Sequence, residues 1–593
     1  MQSNEFFTSF ARILNSGQSR SVILCGNIHD LFFDGHEYVP LIPYLNKKTT
    51  TPGIVQVAYE LNGPIRVPDE AGREQLRRAW ISWKAGMDVD TLVIRDMNKR
   101  KSEADRLGDE FDRHLQDSMG NPTLALEFLR QLTICSRSAL RADLLIVIEA
   151  ADMLLPAGSG DVAALSDKQL RRIAIVQDWF GDPAFIHGDD SVCLIAESRY
   201  LIHPRVSRMP QVLSVEVPAP SVESREHYID KWCESAPAEP AMWSTRRKLA
   251  EFTAGLSLHA IRQLLAGAAY AGETLVPGSV IAKVEAFVQS QLGDDVVEFK
   301  KPAHSLDDVV GFTALKEFLH KELIPRLKAS GKKSISGAGV AGPIGSGKTF
   351  IFEAVAAELD LPVLVLKSIR SQWFGQTDVI FERLRRVLEA LDKVLIFVDE
   401  ADTQFGTVDA TAHATERRLT GKIQAMMSDT RLRGRVAWLL MTARIHLLSP
   451  DIRRPGRVGD LIIPVLDPQD EDRKAFIRWV LDGVMKEPTE DDVAALDKLT
   501  EGYSAAAFAS LRSDLKAKSP EDGEMNIERI TEIVGDHIPP AIGATREYQT
   551  LQALVNCTRR SLLPEPDSPS LDIQQRREQW ESRVRALEAM GIQ

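Results

Sequence analysis

The residues that point most directly to chemistry form one short glycine-rich stretch beyond the middle of the chain. It consists of Gly342, Pro343, Ile344, Gly345, Ser346, Gly347, Lys348 and Thr349. This is the G-x-x-x-x-G-K-[ST] spacing, in which glycines let successive backbone N–H groups turn towards a phosphate. In such a loop Lys348 reaches the β- and γ-phosphates and Thr349 supplies a hydroxyl to Mg²⁺. We therefore expect these eight residues to bind a nucleotide.

A second chemical feature lies further along the chain, where an apolar run ends in two acids. Residues 394–398 are uniformly apolar and are followed by Asp399 and Glu400. The run predicts a strand buried on both faces of a parallel sheet, and ligands of such sheets lie at the carboxyl ends of the strands. Asp399 is expected to hold Mg²⁺ together with Thr349, partly through water, and Glu400 to polarise the attacking water.

Length, charge and cysteine usage limit the kind of protein that carries these residues. A chain of 593 residues is too long for one core and predicts several folding units. The net charge of −12 disfavours a protein that coats nucleic acid or an anionic membrane. Five scattered cysteines predict a reducing compartment rather than zinc or a disulfide framework. With no secretory leader and no long apolar run, we expect a cytoplasmic protein without a membrane span.

Five further segments surround the glycine-rich loop in a characteristic order. They are Ser305–Gly311, Ser371–Asp378, Glu416–Arg418, Leu448–Arg457 and Gly502–Phe508. Over about residues 300–545 this order resembles the AAA+ ATPases. The resemblance implies ATP and Mg²⁺ as cofactors, ATP hydrolysis as the reaction, and an adenine site lined by Val310 and Gly311.

The same resemblance implies an assembly and a substrate. Family arginines at the positions of Arg454 and Arg457 reach the γ-phosphate of the neighbouring subunit, which implies a homo-oligomer, most simply a hexameric ring. The alternative is that one of the two makes an ordinary salt bridge. Trp373 and Phe374 occupy the family's pore-loop position, where a flat ring grips an extended polypeptide. Their alternative is burial in the core.

One position departs from the family pattern. Ala443 stands where the family usually has an asparagine that orients water. Its loss leaves the rate of hydrolysis open, and Thr442 or a shifted side chain could substitute for the missing amide.

The first half of the chain reads as a degraded copy of the second. Three of the matched pairs, in order, are Leu145–Asp152 with Leu395–Asp402, Leu194–Arg199 with Leu440–Arg444, and Phe252–Ser257 with Leu499–Ser504. However, the first strand, Ser21–Gly26, runs into Asn27 without a phosphate-binding loop, and Ala150 replaces the catalytic glutamate. Gln211 likewise replaces the second finger arginine. This half is expected to bind nucleotide weakly or not at all, and to stiffen the assembly or dock a substrate.

Together these patterns predict an α/β protein with two P-loop-NTPase-like (AAA+) parallel-sheet domains, each followed by a helical lid, and a helical C-terminal tail. The expected boundaries are 1–220, 221–297, 298–466 and 467–545 for the domains and their lids, and 546–593 for a linker with the C-terminal helix. The tail could pack on a neighbouring subunit or bind a partner. The leading function is a ring machine that remodels or unfolds protein substrates through a pore, with a protein substrate or adaptor as partner. The alternative is a nucleotide-switched scaffold, and nucleic-acid remodelling is disfavoured by the acidic balance.

Overall fold

The structure is a computed structural model that describes most of the chain. It covers residues 5–97, 102–158, 165–236, 238–292, 297–299, 304–329, 333–359, 363–367, 377–391, 393–405, 414–486, 488–519, 525–537, 541–565 and 572–592. The predicted pore-loop residues Trp373 and Phe374 lie outside these ranges. The chain packs as two compact units: Met1–Val284 with Gly375–Ala390, and Glu285–Phe374 with Leu391–Gln593. The domain boundaries given above stay predictions.

The first unit is built on a six-stranded sheet and a separate two-stranded hairpin. The strands are β1 (Ser21–Gly26), β2 (Leu31–Phe33), β3 (Tyr38–Pro40), β4 (Ile54–Tyr59), β5 (Ile65–Arg66), β6 (Asp143–Ile148), β7 (Ser191–Ala196) and β8 (Val212–Val217). The sheet order is β5-β4-β6-β7-β1-β8, with only β5 antiparallel, and β2 pairs with β3.

Helices cover both faces of this sheet. Those of the first half are α1 (Glu5–Asn15), α2 (Leu41–Thr49), α3 (Glu70–Ala85), α4 (Val89–Arg95), α5 (Glu103–Asp117), α6 (Pro122–Ala139), α7 (Ala151–Leu154), α8 (Asp167–Gly181), α9 (Pro183–Ile186), α10 (Pro204–Ser207), α11 (Val222–Ser235), α12 (Arg246–Phe252), α13 (Leu258–Ala271) and α14 (Pro277–Leu292). Successive residues of β1 enter opposite cores, Val22 and Leu24 on one side and Ile23 on the other. This is the two-residue period of a strand buried on both faces.

The second unit is built on another six-stranded sheet. Its strands are β9 (Val297–Phe299), β10 (Gly337–Ala341), β11 (Val363–Leu366), β12 (Val394–Val398), β13 (Val436–Thr442) and β14 (Ile462–Pro464), in the order β14-β10-β13-β12-β11-β9. The helices are α15 (Thr313–Phe318), α16 (Ile324–Lys328), α17 (Lys348–Ala357), α18 (Thr377–Ala390), α19 (Ala401–Phe405), α20 (Ala414–Met427), α21 (Asp470–Leu481), α22 (Glu490–Leu499), α23 (Ala505–Lys518), α24 (Ile527–Gly535), α25 (Gly543–Asn556) and α26 (Ile573–Ala589). Of these, α18 packs within the first unit.

The two sheets share one strand order. Reading from the β8 and β14 edges, each has its fifth parallel strand, then the first, fourth, third and second, and ends in a short antiparallel strand. The expected α/β fold class with two parallel-sheet domains is thus confirmed. Within the described part of the chain, no helix is both long and apolar enough to cross a membrane.

Candidate nucleotide site

The glycine-rich loop joins the end of β10 to the start of α17. Gly345 and Gly347 have φ of +80° and +89°, a conformation that side chains with a Cβ rarely adopt. A Cβ on Gly342 would lie 2.0 Å from the carbonyl oxygen of Val465. The glycines are therefore needed for the curl of the loop, which leads into the N-terminus of α17, the positive end of the helix dipole.

Lys348 lies folded against this loop. Its Nζ donates to the carbonyl oxygens of Gly342, at 2.9 Å, and Pro343, at 2.8 Å. Burial lowers the pKa of Lys348 to about 8, although the nearby carboxylates of Asp399 and Asp467 act in the opposite direction. The ammonium is thus held at the loop by carbonyls that an arriving phosphate would replace as its partner.

Asp399, just beyond the end of β12, contacts the loop. Thr349 Oγ1 donates to Asp399 Oδ2 at 3.0 Å, and the N–H of Glu400 donates to Asp399 Oδ1 at 2.9 Å. A hydroxyl and a carboxylate oxygen are the ligand types that Mg²⁺ prefers. The hydroxyl of Ser346 is buried and has no hydrogen-bond partner within the described residues. These donors and acceptors fit a magnesium-bound nucleotide.

The expected adenine-side residues, Val310 and Gly311, lie where α21 and α23 approach the loop. Gly311 has φ of +65°, and a Cβ there would lie 3.0 Å from the ring of Phe476 on α21. Its neighbour Val310 is half-buried and packs against the main core of this unit. The N–H of Ala506, at the start of α23, donates to the carbonyl of Gly345 at 3.0 Å. Helices α21 and α23 therefore contact the two segments expected to hold the nucleotide.

Strand β13 ends at Thr442, directly before Ala443, and the hydroxyl of this threonine is hydrogen-bonded to residues of the same chain. Thr442 Oγ1 donates to Asp402 Oδ1 at 2.6 Å and accepts from the N–H of Arg444 at 2.8 Å. Arg444 Nε donates to the other oxygen of Asp402 at 2.7 Å. The threonine hydroxyl is engaged as donor and acceptor, so this arrangement does not offer it as a substitute for the missing amide.

The two expected finger arginines have different surroundings. The side chain of Arg454 is 56% exposed and lies 3.9 Å from Asp451. Arg457 is 8% exposed, and its Nε donates to Ser428 Oγ at 2.7 Å. Its Nη1 donates to the carbonyl of Asp451 at 3.0 Å, and burial lowers its pKa. Arg454 is presented to solvent, whereas Arg457 is bound within its own chain.

Two residues near the loop have no counterpart in the sequence prediction. Arg546 Nη1 donates to the carbonyl oxygen of Ile344 at 2.9 Å, and Gln549 Oε1 accepts from the N–H of the same residue at 3.0 Å. Both belong to α25, whose second to fourth turns lie in the stretch assigned to a linker and tail. The contacts join residues about 200 positions apart, so they cannot be predicted from the spacing of neighbouring residues.

The first unit has a carboxylate in the region after its first strand. Asp30 is buried and accepts from the N–H groups of Leu258, at 3.0 Å, and His259, at 3.3 Å. These are the first two residues of α13, which corresponds in sequence to α23 of the second unit. At the end of β6, Ala150 has φ of 48°, close to the 46° of Glu400. At this position the first unit keeps the backbone conformation and has alanine in place of the glutamate.

Two family models match the chain. Residues 4–218 match the N-terminal Rossmann-like domain of an AAA+ chaperone, and residues 339–464 match the ATPase family associated with various cellular activities (AAA). The second match contains the loop, both acids of the β12 end and both finger arginines.

Curated relatives match one part of the chain each. It is 31% identical over 199 residues to the cell division cycle protein 48 homologue of Archaeoglobus fulgidus, which is 32% of this chain and 26% of that protein. It is 29% identical over 219 residues to the meiotic spindle formation protein mei-1 of Caenorhabditis elegans, covering 35% and 45%. Spastin of Gallus gallus is 24% identical over 249 residues, covering 40% and 39%. The chain therefore spans less than half the length of these relatives. With its two matched domains and two sheets of one strand order, the chain belongs to the AAA+ ATPase family, as a tandem protein in which only the second half retains the phosphate-binding loop.

Proposed function

We propose that this chain hydrolyses ATP in its second half and works as a ring that remodels or unfolds protein substrates through a central pore. The observation that carries the proposal is the juxtaposition of Thr349 and Asp399 beside Lys348, with Glu400 at the same strand end. Hydrolysis of a phosphoanhydride needs these groups together: a cation for the phosphates, oxygen ligands for Mg²⁺ and a base for water.

Each residue of the site has a role in this proposal. The loop from Gly342 to Thr349 cradles the phosphates through backbone N–H groups, and Lys348 neutralises the charge at the β- and γ-phosphates. Thr349 and Asp399 hold Mg²⁺, which supplies neutralisation of the phosphate charge when bound. Glu400 orients and polarises the attacking water.

Assembly supplies the remaining positive charge. Arg454, exposed on the finger segment, completes the site of the neighbouring protomer, where a trans-acting arginine is worth roughly 10³–10⁵ in rate. Arg457 supports the same segment, and its own contact with the phosphate requires that it leave its present partners. A ring of six protomers, with Trp373 and Phe374 facing its channel, is the form that the family resemblance implies.

A nucleotide-switched scaffold is the second candidate, and one observation favours it. Ala443 carries no amide, and the hydroxyl of the adjacent Thr442 is engaged with Asp402. A site that binds ATP well and hydrolyses it slowly would use binding to set assembly and hydrolysis to reset it.

The first test separates binding from hydrolysis. Lys348→Ala should abolish binding of a fluorescent ATP analogue. Glu400→Gln should keep that binding, and its rate of phosphate release should fall by a factor of about 100 or more. Tight binding by the lysine variant, or normal phosphate release by the glutamate variant, contradicts the assigned roles.

The second test separates the machine from the scaffold. Trp373→Ala should leave phosphate release near the parental rate and stop unfolding of a bound fluorescent reporter protein. Unchanged unfolding by Trp373→Ala would show that this side chain does not grip the substrate. If the parent chain assembles with ATP but unfolds nothing, the scaffold is favoured.

A further inference from the structure

Helix α25 contacts the phosphate-binding loop at a single residue, Ile344. Arg546 donates to the carbonyl of Ile344, and Gln549 accepts from its N–H. Both peptide groups flanking the side chain are thus held by one helix. Gln549 is almost completely buried, so its bond is shielded from water.

Arg546 is itself fixed in place. Its Nη2 donates to both carboxylate oxygens of Asp467, at 2.6 and 2.5 Å, just beyond β14. Because Nη2 is bound to Asp467 and Nη1 to Ile344, the guanidinium has one orientation. The cation also lies close enough to Lys348 to act on its pKa, in the lowering direction. The loop and this end of α25 therefore share one electrostatic environment.

The other end of α25 contacts the finger segment. Asn556, its last residue, accepts at Oδ1 from Arg453 Nη1 at 3.1 Å. Arg453 directly precedes Arg454, and its Nε donates to the carbonyl of Leu448 at 3.0 Å. A helix of 14 residues is about 21 Å long, so α25 spans the distance from the loop to the finger segment.

The outer side of α25 is supported by the C-terminal helix. Tyr548 donates to Glu588 Oε1 at 2.9 Å and packs with Val584 and Leu587 of α26. Tyr548 also meets the ring of His446 edge to face, with centroids 5.2 Å apart. Tyr548 thus fixes α25 against both α26 and the segment that directly precedes Leu448.

We propose that α25 is a connecting rod that sets the position of the finger segment according to the state of the chain's own phosphate-binding loop. This inference rests on the proposed function, because Arg454 is taken to act on the neighbouring protomer. A phosphate entering the loop shifts Ile344, the shift is passed through Gln549 and Arg546 to the helix, and Asn556 passes it to Arg453. Arg546, Gln549 and Asn556 are positioning residues.

Hydrogen exchange with ADP as the probe tests this coupling. In the parent chain, ADP should slow exchange at residues 342–349 and also change it at residues 448–457. In Asn556→Leu, ADP should bind with parental affinity and slow exchange at 342–349, while the response at 448–457 falls at least about fivefold. Asn556→Asp keeps an acceptor for Arg453 and should retain the response.

A second variant tests the opposite end of the rod. Gln549→Met removes the acceptor at similar length; it should weaken ADP binding about threefold to tenfold and, at saturating ADP, lose the response at 448–457. Arg583→Met, which breaks only the exposed pair with Glu547 on the outer side of α25, is the matched control and should respond like the parent.

The outcomes separate this proposal from the function on which it rests. The rod alone is overturned if the parent binds ADP normally but shows no response at 448–457. It is also overturned if Asn556→Leu and Gln549→Met both respond as strongly as the parent. Failure of the parent chain to bind ADP would overturn the nucleotide site itself. Neither measurement requires a ring, hydrolysis or a substrate.

Discussion

Two residues beyond the ends of β6 and β12, the two halves share a left-handed backbone conformation and differ in side chain. Ala150 and Glu400 have nearly equal φ, 48° and 46°. A non-glycine residue in that region costs about 1–3 kcal/mol, which surrounding structure must offset. The first half keeps this strained turn without the carboxylate, so its fold depends on the turn independently of catalysis.

Asp30 gives the first prediction at this scale. Its carboxylate caps the N-terminus of α13, the helix equivalent to the one that meets the phosphate-binding loop in the second half. Asp30→Ala should lower the free energy of unfolding by about 1–2 kcal/mol, because two N–H groups lose their partner. The midpoint of urea denaturation, followed by a probe in residues 1–284, measures the change.

The control for Asp30 lies on the same helix. Ser257 Oγ accepts from the N–H of Ala260 at 3.2 Å, and Ser257→Ala should cost less because the carboxylate cap remains. Neither variant should gain nucleotide binding, since no glycine loop follows β1. A stabilised Asp30→Ala chain that binds ATP in its first half would contradict this account.

Lys348 gives a prediction about pH. Burial lowers its pKa to about 8, so the ammonium is charged below that pH and loses its proton above it. A bound phosphate favours the charged form, and ATP affinity should therefore fall about tenfold per pH unit as pH rises above about 8. Isothermal titration of Glu400→Gln with ATP from pH 7 to 9.5 measures this slope.

The sign of that dependence is tested by a lysine replacement. Arginine stays charged throughout this range, so Lys348→Arg should bind more weakly but with little dependence on pH. A flat profile in the lysine form would show that another group governs the charge at the loop.

At the scale of elements, sequence reasoning succeeds where the signal is local. The apolar run at 394–398 forms β12, Ser21–Gly26 forms β1, and the spacing in the tail forms α26. Each is encoded by consecutive residues, and burial on one or both sides leaves a readable pattern. The glycine-rich loop is predicted for the same reason, since its φ values are imposed by its own glycines.

The parts that sequence reasoning misses depend on distant contacts. The helical conformation at 543–556 falls largely in a stretch assigned to a linker, and its link to Ile344 joins residues about 200 positions apart. The inward orientation of Arg457 is set by Ser428, and the cap made by Asp30 is set by a helix near residue 258. Tertiary packing decides each of these, and no spacing rule contains it.

The packing of α26 on α25 gives a prediction at the element scale. By sequence, the tail could pack on a neighbouring subunit or bind a partner. In the structure it packs on α25 of its own chain, with Leu587 2% exposed. Leu587→Ala should lower the free energy of unfolding by about 2–3 kcal/mol and speed hydrogen exchange across 543–556. Leu499→Ala, at a site 43% exposed, should cost about 0.5 kcal/mol or less. Equal, small effects would mean that α26 does not dock in this way.

At the scale of the whole molecule, one strand order occurs twice, and only the second copy has the glycine-rich loop and the glutamate. The shared order β8-β1-β7-β6-β4 and β14-β10-β13-β12-β11 brings equivalent strand ends together in each sheet. In the first, that edge holds Ala150 and the segment leading to Asp30; in the second, it holds Glu400 and the phosphate-binding loop. The fold therefore does not by itself decide function, which depends on a few residues at one edge.

The exposed position of Arg454 leads to a prediction about the assembly. If its guanidinium completes a neighbouring site, then Glu400→Gln and Arg454→Ala protomers are each inactive for different reasons. Mixed in equal amounts, they should recover about a quarter of the parental phosphate release, because an intact glutamate then meets an intact arginine across some head-to-tail interfaces. Glu400→Gln mixed with Lys348→Ala is the matched control; both defects then lie in the same part of the site, and no protomer supplies both groups. A mixture with Arg454→Ala that stays at the level of its components would mean that the arginine acts within its own chain or not at all.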